Sequence, residues 1–385
     1  MGDIINRITN LPEEKRALLI QKLAQSTTGH HPGLPNNLAS RESLIMPSHP
    51  CYLDLEIPGN FQSFRFLGLA EMQPGPTQVI IGTKAVSLNF RDLMIAMNMY
   101  PSTPGIPSVM GSDIAGTVLA CGSEVERFAP GDDVIALSAG NLSSNGAIQR
   151  DSHFASHCVA VEDQVLHKPK NLDFAEAACI PTVFLTSYFS IVHTAQLQPG
   201  ERILIHSATG GVGLSAVQIA QWIGAEIYAT AGSAEKREYL EKTGVDFVMD
   251  SRSSCSDDVM RYSRKEGIDV ILNMSSGGPP EAGLELLRPF GRLIELSKRS
   301  TLEVETLPLR YFRNGLSYTT VDIALFVSRA HMLQELLTAI CGHIGTGVFG
   351  KLPYLCFPVE KVGEALTYMS RRKHIGKIVL SYEKA

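Results

Sequence analysis

Seven residues, Ser207-Ala208-Thr209-Gly210-Gly211-Val212-Gly213, stand between an apolar run (Ile203, Leu204, Ile205) and a segment carrying Val217, Ile219, Ala220, Trp222 and Ile223 at helical spacing. The pattern predicts a strand, a tight turn and an amphipathic helix. The first N–H groups of such a helix have no intrahelical acceptor and attract a phosphate. Glycines there let the backbone approach a pyrophosphate where a Cβ would clash. The chemistry expected is dinucleotide binding, with Ser207, Gly210, Gly211, Val212 and Gly213 as the cradle. Ser207 replaces the first glycine of the usual G-x-G-x-x-G fingerprint, so the strand–turn–helix context carries the reading.

The residues after the next strand select the dinucleotide. That strand, Ile227 to Thr230, ends in Ala231-Gly232-Ser233, followed by Glu235-Lys236-Arg237. A carboxylate at the strand end would accept the ribose hydroxyls of NAD, and none is present. Two cations follow instead, suited to a ribose 2′-phosphate. NADPH is therefore expected rather than NADH. The blander alternative makes Lys236 and Arg237 solvated residues of a helix's first turn. Cations there oppose the helix dipole, so a nearby anion explains them better.

These residues must be held by a large scaffold. The chain has 385 residues, enough for two domains with substantial cores. It is 44% apolar and 19% charged, with a net charge of −5 and no basic stripe, which argues against nucleic acid as a partner. No apolar run approaches the roughly 20 residues of a membrane span. The opening MGDIINRITNLPEEKR lacks the apolar core of a signal peptide, and seven scattered cysteines never form C-x-x-C. A reduced, cytoplasmic protein is expected.

Residues 11–25 predict a short helix and 26–50 a Pro- and Ser-rich linker; together, 1–50 form an N-terminal segment, either packed on its own domain or docking within a larger assembly. Short β-rich runs then follow, including Gln78–Ala85, Gly116–Leu119, Asp133–Leu137 and His157–Val161, with one helix expected at Arg91–Met99. Over 173–311, helices alternate with strands near 202–206, 226–230, 246–249, 268–273 and 291–296, which implies a parallel sheet covered on both faces. A final strand is expected from Gly376. The fold class predicted is α/β. A doubly wound nucleotide domain (173–311) is inserted in a β-rich, barrel-like substrate domain (51–172 with 312–385), with a cleft between the two.

Several separated segments, in order, resemble one family. They are LNFRDLMIAMNMYP (88–101), GSDIAGTVLACGSEVERFAPGDDVIAL (111–137), AACIPTVFLTSYFSI (177–191), the turn SATGGVG and GRLIEL (291–296). Together, over roughly 52–382, they resemble the medium-chain dehydrogenase/reductase superfamily, and within it the enoyl reductase domains of polyketide and fatty-acid synthases. The resemblance implies NADPH-dependent reduction of the α,β double bond of an enoyl thioester on an acyl carrier protein. Hydride goes to the β carbon and a proton to the α carbon. A homodimer is a further expectation.

The resemblance also carries over individual positions. Asn89 lies in the segment approaching the nicotinamide side, where it is either a site residue or a turn cap. Thr182 and Thr186 stand on the helix entering the cleft, Asn273 ends a nucleotide-domain strand, and Arg252 lies near the adenine or 2′-phosphate, with Ser233 and Lys236. Lys298 is a candidate donor to the thioester carbonyl. The tyrosine held to be the proton donor in some relatives is Phe90 here. Lys236, with Asp257 or Asp258, matches the lysine and the acid that the family offers as alternative donors, and solvent stays open as the donor. Tyr100 is read as structural.

No metal is expected. The segment that carries a zinc-ligating histidine in alcohol dehydrogenases reads Gly111-Ser112-Asp113, and strand alternation sends His157 and Cys158 to opposite faces, apart from His153. Three alternatives to enoyl reduction remain: a quinone or enone reductase, a reductive variant closing a cyclopropane on a γ-halogenated enoyl thioester, and a domain that binds NADPH without turnover.

Overall fold

The computed structural model describes residues 44–100, 109–137, 154–252, 255–274, 280–297 and 306–383. The helix expected over 11–25, most of the 26–50 linker, His153 and Lys298 lie outside the described residues.

In chain order the first unit comprises β1 (Cys51–Leu55), β2 (Phe64–Gly68), β3 (Gln78–Leu88), α1 (Phe90–Ala96), β4 (Asp113–Cys121), β5 (Asp133–Leu137), β6 (His157–Val161) and β7 (Val165–His167). Helices α2 (Phe174–Ala178) and α3 (Pro181–Tyr188) lead out of it. Then come β8 (Arg202–Ile205), α4 (Gly211–Ile223), β9 (Glu226–Ala231), α5 (Ala234–Lys242), β10 (Phe247–Asp250) and α6 (Cys255–Tyr262). They are followed by β11 (Ile268–Asn273), α7 (Pro280–Leu284), β12 (Leu287–Glu295), β13 (Ser317–Thr320), α8 (Ala330–Gly345), β14 (Tyr354–Pro358), α9 (Val362–Ser370) and β15 (Lys377–Ser381).

The nucleotide sheet has the order β10-β9-β8-β11-β12-β13, parallel throughout. Its central strands are apolar on both faces, as a sheet covered by helices on each side requires: Ile203, Leu204 and Ile205 are all buried. Strand order reverses between β8 and β11, and the crevice at such a reversal, at the carboxyl ends of the strands, is where open α/β sheets take ligands.

The other large sheet runs β14-β15-β3-β4-β5-β7, with β6 also on β3. It is antiparallel except between β14 and β15. The turn Glu162–Gln164 joins β6 to β7, so the sheet curls back on itself in the barrel-like manner expected. Strand β15, from the far end of the chain, pairs with β3 from Ile378↔Leu88 to Ser381↔Ala85.

The boundary expected between 311 and 312 needs correction. Ser317–Thr320 forms the sixth strand of the nucleotide sheet, in register with β12 from Arg292↔Ser317 to Glu295↔Thr320. Leu333, Leu336, Leu337 and Ile340 of α8 join the core that holds Ile203 and Ile205. The chain returns to the antiparallel sheet at β14. Ser-Tyr-Thr-Thr is a short, polar edge strand, so neither an apolar run nor clean alternation announced it.

Candidate active site

Helix α4 is built to pack and to leave its start open. It buries Leu214, Val217, Ile219 and Ala220, each large apolar side chain contributing about 1.5–3 kcal/mol, and ends on Gly224 at φ 86°. Gly210 precedes it in extended conformation and brings no side chain to cap the first turn. A Cβ at Gly213 would lie 2.5 Å from Ala208 Cα, so this glycine lets helix and turn touch. A Cβ at Gly211 would lie 2.6 Å from Lys377 Cδ. At Gly210 the nearest atom would be Ser207 O at 3.6 Å, leaving one face of the turn open to a ligand. Ser207 itself adopts φ 51°, the conformation a glycine usually supplies, and its N–H donates to Thr230 Oγ1 at 3.2 Å.

The end of β9 carries the cationic patch. Ser233 caps α5, its Oγ accepting from Lys236 N at 3.3 Å. Lys236 Nζ donates to the carbonyl of Arg372 at 2.9 Å, which bridges the nucleotide domain to the segment before β15. Burial, with the Arg372 charge nearby, holds the Lys236 ammonium below its usual pKa. Arg252 lies over Gly232, where a Cβ would sit 3.5 Å from both Nε and Nη2. Ser233, Lys236 and Arg252 thus share one edge. Arg237 is different: its guanidinium pairs with Asp250 Oδ2 at 2.8 Å, so its charge is already compensated.

Across the turn lies a buried polar group that the sequence did not reveal. Lys377 and Asp113 are 3% and 0% exposed, at the starts of β15 and β4. Lys377 Nζ donates to Leu88 O at 2.9 Å and Asn89 Oδ1 at 2.6 Å, and lies 3.5 Å from Asp113 Oδ2. Asp113 also accepts from Asn89 Nδ2 (2.9 Å), Thr182 N (3.0 Å) and Thr182 Oγ1 (2.5 Å). Asn89, Asp113, Thr182 and Lys377 therefore satisfy one another, as buried charge requires. Asn89 also begins α1, its N–H donating to Asp92 Oδ2 at 2.6 Å, so it caps the helix and holds the cluster at once. Thr186 bonds within its helix, to Thr182 O at 2.6 Å. The missed signal was a lysine opening the otherwise apolar Lys377-Ile-Val-Leu.

The remaining candidates are dispersed. Asp257 is exposed in the first turn of α6, which packs on the edge strand β10. Asn273, last residue of β11, donates through Nδ2 to Glu295 Oε2 at 2.7 Å, and its Oδ1 meets His206 Nδ1 at 2.7 Å. Phe90 is 52% exposed and has no hydroxyl, while Tyr100 lies against Arg91, whose guanidinium carbon is 5.1 Å from its ring centroid. His157 Nδ1 bonds Ser156 Oγ at 2.9 Å, whereas Cys158 turns inward to Thr83 Oγ1 at 3.4 Å, with burial pushing its thiol up to about 11. Among the described residues no three His, Cys, Asp or Glu side chains come together to hold a metal. No helix there is long and apolar enough to cross a membrane.

A doubly wound nucleotide sheet joined to a curled antiparallel sheet, with the Gly-rich turn facing a buried Lys–Asn–Asp–Thr cluster, defines a dehydrogenase/reductase of two-domain type. Comparison with known proteins agrees. Residues 75–170 match the alcohol dehydrogenase GroES-like domain, and 211–339 match the zinc-binding dehydrogenase family. The CurK enoyl reductase is 32% identical with a TM-score of 0.76, covering 87% of this chain and 99% of that one. The CurF ER cyclopropanase from the curacin A biosynthetic pathway is 30% identical at 0.77, covering 86% and 99%. A mycocerosic acid synthase-like polyketide synthase of Mycolicibacterium smegmatis is 35% identical over 325 residues, 84% of this chain but 15% of that much longer protein. The chain belongs to the medium-chain dehydrogenase/reductase superfamily, as an enoyl reductase of the polyketide synthase type.

Proposed function

We propose that this chain reduces the α,β double bond of an enoyl thioester presented by an acyl carrier protein in polyketide-type biosynthesis, using NADPH. The observation that carries this reading is the 32% identity to the CurK enoyl reductase over nearly the whole of that chain. The chain's own residues fit the cofactor. The uncapped start of α4 and the open face of Gly210 suit a pyrophosphate, while Ser233, Lys236 and Arg252 suit a 2′-phosphate where no acid ends β9. Bound NADPH supplies hydride to the β carbon, after which the α carbon takes a proton.

The protein's part is mainly to position and to exclude water. Lys377, Asn89, Asp113 and Thr182 form a rigid wall beside the cradle. Phe90 offers no hydroxyl at its position, so the α proton is assigned to water, with Lys298 and Asp257 the side chains to test against it.

The deciding experiment follows NADPH absorbance with a crotonyl thioester on a carrier protein, with mass analysis of the acyl product. A gain of two hydrogens is expected. NADPH binding without turnover of this or longer enoyl chains overturns the reading. A second reading is favoured by the missing hydroxyl at Phe90 and the likeness to the CurF cyclopropanase. There, on a γ-halogenated enoyl thioester, hydride adds at the β carbon, the α carbon bonds the γ carbon and halide leaves. Product mass separates the two, and a quinone as sole acceptor would sink both.

A further inference from the structure

His206, Asn273 and Glu295 stand in a row at the carboxyl ends of β8, β11 and β12. Asn273 and Glu295 are register partners, and the His206 N–H continues the ladder to Leu272 O at 3.2 Å. The row spans the point where strand order reverses, the crevice in which such sheets hold a dinucleotide.

The hydrogen bonds in this row run one way. Both oxygens of Glu295, 1% exposed, accept: Oε1 from Ser297 N at 2.8 Å and Oε2 from Asn273 Nδ2 at 2.7 Å. That turns the Asn273 carboxamide oxygen toward His206, 2.7 Å from Nδ1. An amide oxygen only accepts, so Nδ1 carries the proton, and a neutral imidazole then has a bare lone pair on Nε2. Burial holds His206 below its ordinary pKa and favours the neutral ring. The ring stays partly accessible, and among the described residues Nε2 has no hydrogen bond.

We infer that His206 is a cofactor-binding residue whose Nε2 accepts a hydrogen bond from a ribose hydroxyl of the nicotinamide half of the dinucleotide. The inference rests on the cofactor reading above. The Ser233–Lys236–Arg252 patch lies at the end of β9, on one side of β8, so the nucleoside on the β11 side is the nicotinamide one. The next seven residues form the turn suited to the pyrophosphate. A phosphate offers only acceptors and would be repelled by a lone pair, whereas a ribose hydroxyl donates. Asn273 and Glu295 are positioning residues that set the tautomer.

The test uses the full chain with ¹⁵N-labelled histidine, the His206 signals being assigned with His206→Gln. Without ligand, the Nδ1–H tautomer is expected. On NADPH addition, Nε2 should stay unprotonated and shift as a hydrogen-bond acceptor does. His206→Ala should weaken NADPH and NADH alike, by about tenfold each. NADPH that binds the wild type while His206 Nε2 keeps its unliganded shift, or becomes protonated, overturns the inference and leaves the cofactor reading intact. Equal NADPH affinity of His206→Ala and wild type does the same. A wild type that binds no NADPH removes the cofactor reading, and this inference with it.

Discussion

The ammonium of Lys377 donates to the carboxamide oxygen of Asn89 at 2.6 Å across a sequence separation of 288 residues. The same lysine's stem passes so close to Gly211 that a Cβ there would overlap it. One side chain therefore joins the end of the chain, the start of α1 and the mouth of the nucleotide turn.

Replacing that lysine should be costly. Lys377→Met leaves Asp113 fully buried without its cation, and Asn89 Oδ1 without a donor. Loss of one partner of a buried, hydrogen-bonded pair costs about 3–5 kcal/mol. Urea unfolding should show a loss of that size, with part of it returned by adding Asp113→Asn. A loss below about 1 kcal/mol would put the pair in the class of surface ion pairs.

The cationic edge should sort two cofactors that differ by one phosphate. Lys236→Ala and Arg252→Ala are each expected to raise the NADPH dissociation constant by about ten- to a hundredfold, while moving NADH far less. Arg237→Ala should leave the preference nearly intact, because that guanidinium already pairs with Asp250. Fluorescence titrations of the three variants would decide. Equal weakening of both cofactors by Lys236→Ala rejects the phosphate assignment.

Two glycines of the same turn should fail in different ways. Gly213→Ala drives a methyl to 2.5 Å from Ala208 Cα and should destabilise the fold by about 1–3 kcal/mol. Gly210→Ala meets nothing closer than 3.6 Å and should fold normally, yet its methyl occupies the open face of the cradle. Thermal unfolding beside NADPH titration separates the cases. A Gly210→Ala chain with undiminished NADPH affinity would place the pyrophosphate elsewhere.

Acid should weaken the fold partly through His374. Burial, then the charges of Lys236 and Lys377, lower its pKa from 6.5 to about 4, and its buried Nδ1 has no hydrogen-bond partner among the described residues. Between those values the unfolded chain binds the proton and the folded chain does not, so stability falls as pH falls through this window. His374→Gln should lose less stability than wild type between neutral pH and pH ~5. Identical pH profiles would show that this imidazole is not involved.

The features readable in the sequence were local ones. The strand–turn–helix around Gly210, the central strands of the nucleotide sheet and the missing acid after β9 are each written within a few dozen residues. Only the fold tells Lys236 from Arg237 by their partners, bringing the Arg372 carbonyl to the first and Asp250 to the second. Asp113 registered only as a place where zinc-dependent relatives keep a histidine. Its partners come from the cap of α1, from α3 and from β15, and no spacing rule joins them. In the sequence His206 is only the last residue of a strand, since the neighbour that fixes its tautomer lies 67 positions away. Ser317–Thr320 was misplaced because a polar edge strand looks like a loop.

The position of β15 has a consequence for how a ribosome makes this protein. The strand lies between β14 and β3, inside the antiparallel sheet, yet it is synthesised after every strand of the nucleotide unit. Until Lys377–Ser381 emerges, the Ala85–Leu88 stretch of β3 lacks the partner it has in the finished sheet. The nucleotide sheet has all six of its strands by Thr320 and is free to form first. An early-terminated chain would thus carry a competent dinucleotide fold beside an open, apolar strand edge, the kind of surface that chaperones hold and aggregates recruit.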